Sequence, residues 1–145
     1  MWRTLSFGYD GDGGLGDRLL AAVLRGEKKA TSSLAVEYLS GEALPRVGER
    51  LTLVDHAGGV HGMVETTRVT ITPMHLVGDQ VALDEGEGFR DADEWRRDHI
   101  AFWAQVAALV RSDAGDPDWE LRETEPVVVH WFRLLPSTER DRHDP

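Results

Sequence analysis

The stretch Gly26–Leu34, GEKKATSSL, places side chains that could do chemistry between two apolar segments. Lys28 and Thr31 are three positions apart, a spacing that brings both onto one face of a helical or 3₁₀ turn. A threonine hydroxyl becomes a nucleophile when a base takes its proton, and a lysine can act as that base only where its surroundings lower its pKa. The pair is a candidate site for a small ligand, although a solvated lysine beside an N-capping threonine would give the same pattern.

Two carboxylates in a glycine-rich stretch are the candidate partners of this pair. Glu85 and Glu87 alternate with glycines in the sequence EGEG, which is typical of a loop. A carboxylate beside Lys28 would hold its ammonium group in place, and a second one could carry a proton. A solvated acidic loop is the alternative interpretation of the same residues.

Helical patterns surround the candidate residues. Apolar positions in Leu15–Arg25 share one helix face, and Gly26 follows as the residue that ends the helix. A second helix is predicted from Ser32 to Ser40, with Thr31, Ser32 or Ser33 as its N-cap. A third is predicted over residues 91–111, where Asp91 and Glu94 form a capping box.

Three segments have the composition of β-strands. They are LTLVD after the turn residues Pro45 and Gly48, the long VHGMVETTRVTITP, and PVVVHWFRLL near the end of the chain. The HAGG sequence between the first two predicts a hairpin turn. Together with the helices, these segments predict an α+β domain: a small antiparallel β-barrel with flanking helices.

Length and composition limit the class of protein. The chain has 145 residues, which predicts one domain over residues 1–137 followed by a disordered polar tail, 138–145. Cysteine is absent, so disulfides and thiolate chemistry are excluded. No signal peptide or membrane span is evident, and a cytoplasmic location is expected. The net charge of −10 disfavours a long nucleic-acid groove.

Four stretches, taken in order, resemble the ASCH domain, a member of the PUA-like barrel group. The first is FGYDGDGGLGDRLLAAVLRGEKKAT, whose end matches a Gly-x-Lys-x-x-Thr pattern at Gly26, Lys28 and Thr31. The others are EALPRVGERLTLVD, EGEGFRDADEWRRDHIAFW and PVVVHWFRLL. The resemblance covers most of the chain and is nearest to the longer branch of the family.

The resemblance implies a barrel with a cleft for RNA or a nucleoside. A short branch of the group is known as an N(4)-acetylcytidine amidohydrolase, and other members are described as ribonucleases. By that resemblance Thr31 attacks the acyl carbon or orients a water, and Lys28 accepts the proton or stabilises the oxyanion. The resemblance also implies that Glu87, with Glu85 as the alternative, protonates the leaving amine. No cofactor is expected.

Four further positions are predicted to contact the substrate: Gly26, Glu85, Phe89 and Arg68. Phe89 stands where the longer branch commonly has an acidic residue, so a charge is missing near the expected cleft mouth. Arg68 would belong to a basic strip with Arg96 and Arg97.

Alternative functions use the same residues. The cleft could bind RNA or a nucleotide without catalysis, or it could cleave RNA with Lys28 and a histidine as the acid–base pair. The Phe89 departure also fits an interaction protein with an unused pocket. No metal site is predicted, because His56 and His61 flank one turn but spacing places no third ligand.

Overall fold

Among the residues that the structure describes, five strands form one curled, half-barrel sheet on which the helices pack. The computed structural model describes residues 3–137, so the predicted disordered tail, 138–145, lies outside the described residues. The sheet order is β1-β3-β4-β5-β2, and every neighbouring pair is antiparallel except β1 and β3. The strands are β1 Arg3–Ser6, β2 Ala30–Leu34, β3 Arg50–Val54, β4 Val60–Pro73 and β5 Pro126–Leu134. The predicted α+β class with a PUA-like sheet is confirmed.

Four α-helices flank the sheet within the described part of the chain. They are α1 Leu15–Leu24, α2 Asp79–Asp84, α3 Ala92–Gln105 and α4 Ala107–Ala114, and 3₁₀ helices span Ala35–Ser40 and Met74–Leu76. Among these residues, no helix is both long enough and apolar enough to cross a membrane.

Two apolar clusters build the core on either side of β5. Val127 and Val129 pack with Trp95 and Trp103 of α3 in the larger cluster. Phe132 belongs instead to a second cluster that includes Leu20 and Val23 of α1. Because successive residues of a strand point to opposite faces of the sheet, β5 contributes side chains to both clusters. Helices α1 and α3 are thereby attached to different parts of the core.

The predicted helix from Ser32 to Ser40 is wrong over its first third. Residues Ala30–Leu34 form β2, with Thr31 opposite His130 and Ser33 opposite Val128 of β5. The helical part is the 3₁₀ turn Ala35–Ser40. Backbone pairing with a central strand outweighs the weak local preference of serine and threonine, so these hydroxyls cap no helix.

The predicted helix over residues 91–111 is present but divided. Helix α3 ends at Gln105, and α4 begins after Val106, whose ψ of 13° departs from helical geometry. The Asp91 cap is confirmed, since its carboxylate accepts from the Glu94 backbone N–H at 2.9 Å. A capping box would have the Glu94 carboxylate accept from the backbone N–H of Asp91. It accepts instead from the backbone N–H of Arg90, at 2.7 Å.

A buried histidine in the middle of the sheet links stability to pH. His130 on β5 is 4% exposed, and its Nε2 lies 2.8 Å from the Thr66 hydroxyl of β4. Burial lowers the pKa of His130 to about 4, and the charge of Glu49 opposes this only in part. The folded state therefore holds this ring neutral under conditions in which the unfolded chain protonates it.

We predict that the free energy of unfolding falls as the pH drops from about 6.5 to about 4, because only the unfolded chain then binds a proton at His130. This group alone accounts for up to about 3 kcal/mol. His130→Gln keeps a hydrogen-bonding group without a charge, so its urea-unfolding free energy should lose that part of the pH dependence. An equal acid sensitivity in both proteins would contradict the assignment.

Candidate functional site

A cleft lies between α1 and α3, with the EGEG loop and the start of β2 at its deepest part. Its volume is ≈ 870 Å³. Helix α1 contributes Leu15, Arg18, Leu19 and Ala22, and α3 contributes Asp98, His99, Phe102 and Trp103. The polar residues of its inner end are Lys28, Thr31, Ser32, Glu85 and Glu87.

Lys28 is a buried cation whose hydrogen-bonding capacity is used completely. Its side chain is 1% exposed. Nζ donates to the carbonyl of Ala30 at 2.9 Å, to the carbonyl of Glu85 at 3.1 Å and to Glu87 Oε2 at 2.8 Å. An ammonium group has three N–H donors and no lone pair, so Lys28 acts here as a fixed positive charge.

The chain before β2 is held so that Lys28 points inward. Gly26, with φ of 79°, ends α1 in the left-handed region, as predicted, and the N–H of Lys28 bonds back to the Ala22 carbonyl. The next residue, Lys29, donates its N–H to the Asp84 carbonyl at 2.7 Å and accepts from the Phe132 N–H at 3.0 Å. Backbone bonds on both sides therefore position Lys28 against the EGEG loop and β5.

Gly86 lets the two carboxylates of the EGEG loop reach Lys28. It has φ of 64°, and a Cβ atom there would lie 2.3 Å from the Glu27 carbonyl oxygen and 2.7 Å from Lys28 Cα. Only glycine permits that approach without moving the backbone. The glycine between the two glutamates is thus a packing requirement of the site.

Glu85 is the central buried acceptor of the site, and its carboxylate receives donors from several elements. Oε2 accepts from the Ser32 hydroxyl and from Trp95 Nε1, whereas Oε1 lies 3.4 Å from His99 Nε2 and 4.0 Å from Lys28 Nζ. Burial alone would raise the pKa of Glu85. The hydrogen bond and charge of His99, followed by the charge of Lys28, outweigh burial and hold the pKa below its usual range.

Glu87 has the opposite protonation behaviour. Its side chain is 19% exposed and reaches the cleft while its Oε2 accepts from Lys28. Burial raises the pKa of Glu87 above its ordinary value, although the Lys28 ammonium opposes the shift and Glu85 adds to it. The site therefore holds one carboxylate that stays ionised and one that can take up a proton more readily.

His99 also lies at the candidate site, although it was not among the residues predicted from the sequence. It lines the cleft on α3, and its Nδ1 donates to the Trp95 carbonyl at 2.8 Å. Burial alone would lower the pKa of His99, but the hydrogen bond and charge of Glu85 raise it overall. Its position one turn after Trp95 is a core pattern, and only the contact with the EGEG loop distinguishes it.

The remaining predicted residues divide between the cleft and other surfaces. Thr31 lines the cleft from strand β2, and its hydroxyl has no hydrogen-bond partner among residues 3–137. Phe89 also lines the cleft, with its ring centroid 5.8 Å from that of His99. Gly26 and Arg68 are not among the lining residues, and the Arg68 guanidinium instead lies 4.7 Å over the Trp131 ring.

The other arginines of the predicted basic strip do not line this cleft either. Arg96 is occupied elsewhere, since it donates to the Val77 carbonyl at 2.8 Å and to Asp93 at 2.7 Å. The lysine and arginine side chains that line the cleft are instead Lys28 at its inner end and Arg18 and Arg25 on the α1 side. Within residues 3–137, no cluster of three or more His, Asp or Glu side chains has the arrangement of a metal site.

The pairing of Lys28 with Glu87 is suited to a reaction in which a proton is transferred and a negative charge develops on the substrate. A fixed ammonium stabilises an oxyanion, and a carboxyl whose pKa is raised takes up and releases a proton more readily than an ordinary carboxylate.

Comparisons with known proteins identify the type of domain. A family model described as ASCH domain matches residues 4–136. The crystal structure of an ASCH domain from Lactobacillus crispatus JV V101 aligns with a TM-score of 0.75 at 26% identity, covering 92% of this chain and 79% of that one. Protein EF3133 from Enterococcus faecalis V583 aligns with a TM-score of 0.75 at 27% identity, covering 93% and 80%. A search of curated proteins finds no match.

We predict that Gly86→Ala destabilises the protein more than Gly88→Ala. Both glycines have positive φ, but a Cβ at Gly88 has no neighbour within 4 Å. The Gly88 variant should lose about 1 kcal/mol through backbone strain alone. The Gly86 variant should lose about 1–3 kcal/mol more, because the loop must move away from Lys28. Urea unfolding measures both variants, and equal losses would contradict the close approach.

Proposed function

This chain belongs to the ASCH domain family, and on that premise we propose that it hydrolyses the amide of an N-acylated nucleoside such as N(4)-acetylcytidine. The observation that carries the proposal is the 2.8 Å contact between Lys28 Nζ and Glu87 Oε2 at the inner end of the cleft. A fixed cation and a proton-accepting carboxylate are the two groups that amide hydrolysis requires beside its nucleophile.

The size and walls of the cleft fit a nucleoside. Its volume of ≈ 870 Å³ lies in the range of small-molecule sites, about 300–1,000 Å³. Tyr9 and Phe102 line it and are 55% and 40% exposed, so their rings are accessible to a base. Base–aromatic stacking contributes about 1–3 kcal/mol per base, which favours a planar heterocyclic substrate.

Lys28 serves as the electrostatic group in this mechanism. All three of its N–H bonds are already donated, so it cannot take a proton from a nucleophile while it remains an ammonium. Its charge instead stabilises the oxyanion that forms when the acyl carbonyl is attacked. It also keeps the Glu87 carboxylate directed toward the reacting atoms.

Glu87 carries the proton in both halves of the reaction. As a carboxylate it takes a proton from the attacking water while the new C–O bond forms at the acyl carbon. It then gives that proton to the exocyclic nitrogen as the C–N bond breaks. The products are a carboxylic acid and the free amino nucleoside, which balances the hydrolysis. The pKa of Glu87, which burial raises above its ordinary value, favours both transfers over those of an ordinary carboxylate.

Thr31 orients the nucleophile in this scheme. Thr31 is among the lining residues, and its hydroxyl makes no hydrogen bond within residues 3–137, so we assign it to a water or to the acyl oxygen. Direct attack by the hydroxyl is the other role that its position allows, and an acyl-enzyme detected by mass spectrometry would support that route.

A binding module for RNA or a nucleotide is the second candidate. It is favoured by Arg18 and Arg25, which line the α1 side of the cleft and could contact phosphate. Asp98 and Glu87 in the same cleft, with the net charge of −10, oppose a long polyanion. Oligonucleotide binding that weakens steeply with salt, without turnover of acylated nucleosides, would favour this candidate.

We predict that Glu87→Gln abolishes most of the turnover of N-acylated cytidines. The amide keeps the size of the side chain but cannot exchange a proton, so kcat should fall about 10²–10⁴-fold. Mass spectrometry of a panel of acylated nucleosides measures the loss. Glu120→Gln, an exposed change outside the cleft, is the matched control and should keep full activity.

The pair Lys28→Ala and Lys29→Ala provides a second control. Lys28 is buried in the site whereas the adjacent Lys29 is exposed, so only the first change should remove activity. Thermal unfolding verifies that each variant is folded. Full turnover by Glu87→Gln, or by a folded Lys28→Ala, would exclude the role proposed for that residue.

We also predict an acidic limb in the pH dependence of kcat/KM. Glu87 must be ionised in the free enzyme to accept a proton, so activity should rise with pH through its pKa. Because burial raises that pKa, the midpoint should lie above the ordinary 4.5. A midpoint at or below 4.5 would contradict the role of Glu87 as base.

A further inference from the structure

We propose that His99 is a positioning residue of this site: a proton on its Nε2 keeps the Glu85 carboxylate where Lys28 requires it. The inference deepens the proposed hydrolysis and rests on it for its activity measurement. It concerns a residue that does not itself exchange a proton with the substrate, and it can also be tested on the free protein.

The hydrogen bonds of the ring define which nitrogen is protonated. Nδ1 lies 2.8 Å from the Trp95 carbonyl, which can only accept, so Nδ1 carries a hydrogen. Nε2 lies 3.4 Å from Glu85 Oε1. A neutral ring with its hydrogen on Nδ1 would direct the Nε2 lone pair at a carboxylate oxygen. The favourable state is therefore the imidazolium, which donates on both sides.

Aromatic packing holds the ring in this orientation. The His99 ring is stacked on Trp95 with centroids 4.3 Å apart and planes 21° apart. The rings of Phe89 and Trp103 lie on its other sides, at 5.8 Å and 5.2 Å. Since this packing opposes a rotation that would exchange the two nitrogens, loss of the Nε2 proton leaves two acceptors facing each other.

The position of Glu85 controls the position of Lys28. Glu85 offers Lys28 both its peptide carbonyl, at 3.1 Å from Nζ, and its Oε1, at 4.0 Å. Ser32 and Trp95 already occupy the other carboxylate oxygen, so His99 and Lys28 share Oε1. A displaced Glu85 would therefore disturb the Lys28–Glu87 pair, in which the proposed chemistry takes place.

The charges around His99 determine the direction of the pH effect. Glu85 and Glu87 both raise the pKa of His99, while burial of the ring acts in the opposite direction and the net pKa is raised above 6.5. Lys28 is the cation on the far side of Glu85. The His99 ring is therefore protonated below that pKa and loses its Nε2 proton as the pH rises through it. The arrangement of Glu85 and Lys28 should then be lost at alkaline pH.

The first experiment is the pH profile of kcat/KM for the wild type and for His99→Gln. The wild type should lose activity above the pKa of His99, by about tenfold per pH unit well past the midpoint. The glutamine amide can donate toward Glu85 but does not titrate, so that alkaline limb should be absent in the variant. His75→Gln, at an exposed histidine outside the cleft, is the matched control and should keep the limb.

The second experiment needs no substrate. Nitrogen-15 NMR of the free protein should show His99 protonated on both nitrogens at pH 6.5. The Glu87 carboxyl and Lys28 Nζ resonances should shift at the pH where His99 titrates. In His99→Gln these shifts should be absent.

Several results would overturn the inference. A singly protonated His99 at pH 6.5 would do so, as would an alkaline limb unchanged in His99→Gln. If no acylated nucleoside is turned over, the proposed hydrolysis fails by itself. The NMR titration then decides the inference alone: coupled Lys28 and Glu87 shifts support the positioning role, and static resonances exclude it.

Discussion

The burial of the Lys28 ammonium is the constraint on which the rest of the site depends. A charge removed from water costs far more than a fold can tolerate unless charged and polar partners replace the lost hydration. Lys28 is 2% exposed, and its three donors meet two carbonyls and one carboxylate. The buried Glu85 carboxylate likewise needs partners in place of water, and Ser32, Trp95 and His99 provide them.

These partners come from distant parts of the chain, so the fold must bring them together. Strand β2 supplies Ser32, the EGEG loop supplies the carboxylates, and α3 supplies Trp95 and His99. Gly86 permits the loop to contact the Lys28 backbone. Because α1 and α3 pack on different apolar clusters, a cleft remains between them above the buried charges. Paired charges line its inner end, which is the feature that favours a ligand site over a simple gap in packing.

Local pattern predicted the extent of α1, the Asp91 cap and the three long β-rich segments, because these depend on neighbouring residues. It failed at Thr31–Ser33, where pairing with β5 converts a weakly helical stretch into a strand. The contact of Lys28 with the two glutamates was expected only from the resemblance to the ASCH domain. Local sequence patterns cannot relate residues that are 57 positions apart. His99 was missed because its spacing from Trp95 is that of a core residue, and Arg68 packs on Trp131 instead of lining the cleft.

The same contacts that stabilise the buried charges assign different chemical roles to them. Lys28 has no free donor, and Glu85 is surrounded by donors that favour its ionised form, so neither is suited to exchange a proton with a ligand. Glu87 has a single strong partner, a partly exposed side chain and a raised pKa. In the proposed hydrolysis, Glu87 is therefore the residue that transfers the proton, and the buried Lys28–Glu85 pair provides the electric field around it.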